Sequence, residues 1–75
     1  MKNIRIGYVY YCWIGKDVDA VVLIKEEVGG GRYLCDVLKL FPEKAFPEDF
    51  SEIVISSNWP EECLGSKDEC LEYFV

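Results

Sequence analysis

The run AVVLI, residues 20–24, has Asp19 on one side and Lys25, Glu26 and Glu27 on the other. An apolar run without alternation describes a strand covered on both faces, or a short buried helix, and its β-branched content (Val21, Val22, Ile24) favours the strand. A sheet covered on both faces has two layers over it. That is a demanding requirement for a chain of 75 residues, which makes one domain and buries only about 60% of the surface its unfolded form exposes.

The N-terminal stretch NIRIGYVYYCWIG, residues 3–15, alternates as a strand should. Its even positions are apolar or nearly so throughout: Ile4, Ile6, Tyr8, Tyr10, Cys12 and Ile14. The odd positions begin polar, with Asn3 and Arg5, and end as Val9, Tyr11 and Trp13. One face is core, and the other needs a cover, either a second layer of the same molecule or another chain.

The remaining punctuation places further strands. GKDVD (15–19) reads as a turn, EEVGGGRY (26–33) as a hairpin turn that needs positive φ, and RYLCDVLKLF (32–41) as the return strand. Pro42 and Pro47 mark a loop over 42–50, with Phe46 and Phe50 as plugs beneath it, and SEIVIS (51–56) is a fourth strand with Ile53 and Ile55 on one face. Then the period changes. Asn58, Pro60 and Glu61 suggest a helix start and Gly65 a stop, and Ser66 with Glu69 forms a clearer capping box. In the helix that follows, Lys67, Cys70, Leu71 and Phe74 share a face, and Val9, Tyr11 and Trp13 are the surface it is expected to cover. Trp59 is expected as a staple from the helix entry onto the sheet, or, if exposed, as an anchor for a partner. The expected fold class is α+β: a small twisted antiparallel sheet of four to five strands over residues 1–57, and a helical C-terminal segment over 58–75 with one or two short helices.

Charge is unevenly spread. Residues 1–41 balance at +1 and residues 42–75 at −7, giving the net −6. A field of that sign repels phosphate backbones and anionic membranes and attracts basic surfaces; solubility alone also accounts for a charge of this size. Cys12, Cys35, Cys63 and Cys70 are accompanied by no histidine. No secretory leader is legible at the N-terminus, so reduced thiols and a cytoplasmic location are expected. Cys12 and Cys35 fall in strand patterns as core residues, while a bond between Cys63 and Cys70 stays open.

Residues 4–55, with IRIGYVYY, then VVLIKEEVGGGRYLCDVL, then FPEKAFPEDF ending in EIVI, resemble the small SH3-like barrels of bacterial and phage proteins. In size, acidity and composition the chain also resembles the short proteins with which phages block host defence systems, anti-CRISPR proteins among them. That resemblance implies an inhibitor acting in the host cytosol.

The chemistry-bearing patterns point the same way. Without histidine a Cys–His pair is excluded, and the wide cysteine gaps do not match the paired spacing of zinc ligands. GGGR lacks the following helix, Lys and Ser/Thr of a phosphate loop. We therefore expect no enzyme, cofactor or metal. The expected function is a non-enzymatic acidic protein that occupies a basic, nucleic-acid-binding site of a host protein or nucleoprotein complex, without itself binding nucleic acid or membrane. Glu48, Asp49, Glu52, Glu61, Glu62, Asp68, Glu69 and Glu72 form the expected acidic face, and Tyr11, Trp13 and Trp59 the aromatic anchors. Two alternatives stand beside it. One is a binder of small ligands such as signalling nucleotides, stacking bases on Tyr8, Tyr10, Tyr11 or Trp13 and meeting phosphate through Arg5 or Arg32; the other is an SH3-like accessory interaction module. A homodimer through Tyr11 and Trp13 would also cover the second face.

Overall fold

A computed structural model of the chain describes residues 4–41 and 51–74. The described residues form one antiparallel sheet of five strands: β1 (Tyr8–Gly15), β2 (Val18–Gly29), β3 (Arg32–Phe41), β4 (Glu52–Ser56) and β5 (Pro60–Ser66), followed by a 3₁₀ helix at Asp68–Phe74. The spatial order is β4-β3-β2-β1-β5. The molecule is thus mostly β rather than α+β. The loop expectation for 42–50, including the Phe46 and Phe50 plugs, lies outside the described residues.

The two central hairpins follow from their turns. Gly29 pairs with Arg32 across the dipeptide Gly30–Gly31, whose φ values of 63° and 71° are both positive. That is the requirement of a type I′ turn, whose twist matches that of the flanking strands. Between β1 and β2 the turn is Lys16–Asp17, and Asp17 takes φ 62°, a conformation that aspartate tolerates better than most residues.

The sheet is strongly curled, and its connectivity requires this. Through the pairings, Ser56 lies level with Gly29 on β2, and Pro60 level with Ala20. In a flat sheet those two points would be about 35 Å apart, from roughly 30 Å along β2 and 19 Å across four strand spacings. The link through Ser57, Asn58 and Trp59 can span at most about 14 Å. Two hydrogen bonds fasten the link at both ends: Ser57 N–H donates to Gly31 O (2.8 Å), and Trp13 N–H donates to Trp59 O (3.2 Å).

Curling gives the sheet an inner and an outer face, each with its own core. Tyr10, Cys12, Ala20, Val22, Ile24, Cys35 and Ile55 are buried together on the inner face. On the outer face Val9, Val21 and Leu23 are buried with Cys70 of the 3₁₀ helix, and Tyr11, Tyr73 and Phe74 pack around them. All five residues of the AVVLI run are therefore buried, as a strand covered on both sides must be. The C-terminal helix packs over Val9 through Cys70, with Tyr11 at the edge of that cluster; Trp13 stays 48% exposed.

Three expectations need correction. Residues 60–66 form a strand, not a helix, so the helical C-terminal segment shrinks from 58–75 to Asp68–Phe74. Without β5, β1 would leave a row of backbone groups unpaired at the sheet edge, and pairing with it outweighs a weak local helix start. Pro60 suits this role because a strand's first residue can do without an N–H. Gly65, in the strand at φ 135°, adopts a backbone that side-chain-bearing residues rarely take. Second, Leu71 is 58% exposed, and Tyr73 packs in its place; the helix is kinked at Cys70 (φ −116°, ψ 34°), which breaks the expected i, i+3, i+4, i+7 face. Third, Ile6 is 58% exposed, because β1 begins only at Tyr8 and a turn precedes it.

The capping box at the helix start is formed. Ser66 N–H donates to Glu69 Oε1 (2.9 Å), and Glu69 N–H donates to Ser66 Oγ (3.3 Å). The first of these bonds holds the Glu69 carboxyl below its ordinary pKa. None of the described helices is long and apolar enough to cross a membrane.

Candidate functional site

The exposed aromatic residues gather where β1 ends, beside the β4–β5 link. Trp13 is the last residue of β1 before its register shifts, and Trp59 belongs to the link. Their rings meet edge to face, with centroids 6.4 Å apart and planes at 69°, the arrangement that aromatic quadrupoles prefer. Trp59 is half-buried against the inner core, so it serves as a staple from a strand link, not from a helix entry. It props up Trp13, which faces solvent.

Three register partners lie in a row across the outer face: Trp13 on β1, Asp19 on β2 and Phe41 on β3. Direct partners in an antiparallel sheet share a face, one strand spacing of about 4.8 Å apart. Behind this row Tyr11 O–H donates to Asp19 Oδ2 at 2.6 Å, and the Tyr11 ring lies 6.1 Å from that of Phe41. Donation to the carboxylate is the main reason the Tyr11 hydroxyl has a raised pKa, and Glu61 adds to it. Phe41 is 37% exposed, with Lys39 Nζ 5.3 Å from its ring centroid.

The expected acidic residues do not form one face. Glu61 and Glu62 lie exposed on β5, Glu62 as the partner of Tyr11, so these two join the aromatic end. Glu52 sits on β4 opposite Asp36, and Lys25 binds both, at 2.6 Å and 3.4 Å. That carboxylate is locally neutralised and is remote from Trp13 in the sheet order. Asp68, Glu69 and Glu72 are exposed on the 3₁₀ helix, where Glu69 is held by the capping box. Glu48 and Asp49 lie outside the described residues. Asp19 and Phe41 were not singled out from the sequence.

No disulfide joins the four cysteines. Cys12, Cys35 and Cys70 are buried and Cys63 is exposed. Burial pushes the Cys35 thiol up to about 12, far from a nucleophile's range. Among the described residues no group of three or more Cys, Asp or Glu side chains is placed to hold a metal ion. No family model, curated protein or solved structure matches the chain.

Proposed function

We propose that the chain is a non-enzymatic binding protein with an SH3-like barrel, and that it occupies a basic, nucleic-acid-binding site on a host protein or nucleoprotein complex. Its mode of action is that of a phage-encoded anti-defence inhibitor of the anti-CRISPR kind, working by stoichiometric occupation in the host cytosol. The barrel reading is supported by the strand order β4-β3-β2-β1-β5 together with the three-residue link between the outermost strands.

One observation carries the binding role: Trp13, 48% exposed and braced by Trp59, stands beside Asp19 and the exposed pair Glu61 and Glu62. A rigid, half-exposed tryptophan is the residue type most enriched among interface anchors. Carboxylates around it select a basic partner and speed its approach, while the net charge of −6 disfavours nucleic acid.

The test is competition. A fluorescent DNA duplex bound to an arginine-rich peptide is titrated with the protein. Release of the duplex is expected, weakening from about 50 to about 300 mM salt as exposed charges are screened, and a variant carrying W13A, E61Q and E62Q is expected to release far less. Direct binding of the protein to the duplex, or failure to compete at low salt, would overturn the reading.

A further inference from the structure

The row Trp13–Asp19–Phe41 has a geometry that a general acidic surface lacks. A half-buried carboxylate-bearing residue stands between two aromatic residues, both partly open to solvent, one strand to either side. The two flanking Cα positions are therefore about 9.6 Å apart, twice the strand spacing. One planar group stacked between two rings needs about 3.5–4.0 Å on each side. Two strand spacings are thus of the size that one inserted planar layer needs.

Asp19 is held in position from behind. Its Oδ2 accepts the Tyr11 hydroxyl at 2.6 Å, and it takes part in none of the ion pairs among the described residues, both of which belong to Lys25. The second carboxylate oxygen has no such partner among the described residues. Lys39 already lies 5.3 Å from the Phe41 ring centroid, so that ring accepts a cation.

Resting on the binding role proposed above, we infer that the row Trp13–Asp19–Phe41 is a slot for one arginine side chain of a protein partner. The guanidinium stacks between the rings of Trp13 and Phe41 and donates from its edge to Asp19. Arginine is selected over lysine because only a planar, delocalised cation can stack on aromatic faces and direct N–H groups in the ring plane at the same time. Lys39 is the internal competitor for Phe41.

Tetra-arginine and tetra-lysine peptides, titrated against the intact chain at about 0.1 M salt, where the Debye length is about 10 Å, and followed by tryptophan fluorescence, test this. A lost cation–π or charge-assisted contact corresponds to roughly a fivefold to tenfold loss of affinity, so W13L, F41L and D19N are each expected to weaken tetra-arginine by about that factor. Leucine keeps apolar bulk without a π face, and asparagine keeps the acceptor for Tyr11, so the fold is preserved; thermal unfolding checks this. The charge control is E26Q/E27Q at the far end of β2, expected to change affinity by less than about twofold, since screened charges beyond a Debye length act weakly. K39Q is expected to strengthen binding. Equal affinity for the two peptides, or equal effects of D19N and E26Q/E27Q, would sink the slot while leaving the acidic binding role intact. No binding of either peptide would sink both.

Discussion

Val9 tests whether the C-terminal helix closes a true second core. It is fully buried between the outer face of the sheet and Cys70, while Val54 on β4 is 45% exposed. Truncation to alanine removes the same two carbons at both sites and costs the same strand propensity, so the difference reports burial. At Val9 the transfer loss is about 1.6 kcal/mol, and the unfilled space raises the total to roughly 2–3 kcal/mol. A chain of this size has about 4–11 kcal/mol to lose, and each kcal/mol moves its midpoint by about 4–8 °C. Thermal unfolding should therefore show V9A lower by about 10–20 °C and V54A within about 4 °C of the parent. Cys70, 3% exposed, reports on the same contact; its thiol should be labelled faster in V9A. Equal midpoints for the two variants would mean that Val9 is not covered in solution and that the second layer does not exist.

Other consequences of the structure can be measured separately. With no disulfide among the four cysteines, a labelling reagent at neutral pH should modify Cys63 quickly and Cys12, Cys35 and Cys70 only on unfolding; fast labelling of Cys35 would contradict the inner core. Burial raises the Cys35 thiol from 9.0 to about 12, burial raises Tyr10, and the bond to Asp19 raises Tyr11, so above pH 9 the folded chain holds more protons than the unfolded chain. From these groups stability should thus fall as pH rises from about 9 toward 12; denaturant midpoints across that range would show it. For Glu69 the sign is opposite: its pKa is lowered, so its contribution is present above its ordinary value of 4.5 and is lost as acid protonates it. S66A should cost about 0.5–2 kcal/mol by removing the cap; the backbone N–H bond to Glu69 survives that change, so the acid-sensitive part is read from E69A, whose deficit should shrink in acid. At Gly65, φ is 135° and an added Cβ would lie 3.2 Å from that of Glu69; G65A should cost about 2 kcal/mol or more in denaturant unfolding.

How far the sequence foretells this molecule depends on whether local or distant residues decide each feature. The GGG turn, the AVVLI run and the Ser66–Glu69 box are local, and each is realised in the structure as read. β5 is not local: Asn58, Pro60 and Glu61 imitate a helix start, and only the open edge of β1, about fifty residues earlier, makes the segment a strand. The slot is hidden for a related reason. Counted from the two tight turns without bulges, Trp13 and Phe41 would both face Ala20; the bulges in β1, β2 and β3 shift each partner to Asp19. Bulge positions are set by packing across the sheet, so no window of sequence displays them. The acidic residues were visible by count, but the sheet's curl and the Lys25 ion pairs decide which remain together.

The central claim is that this chain recognises a basic partner through one end of its outer face. Amide and indole chemical shifts of the labelled protein, recorded while tetra-arginine is added at low salt, examine it most directly. Movement should concentrate at Trp13, Asp19, Phe41, Trp59, Glu61 and Glu62, with the Lys25–Glu27 segment unmoved. Shifts of equal size along the Asp68–Glu72 helix and the far hairpin, or none at the Trp13 indole, would contradict it.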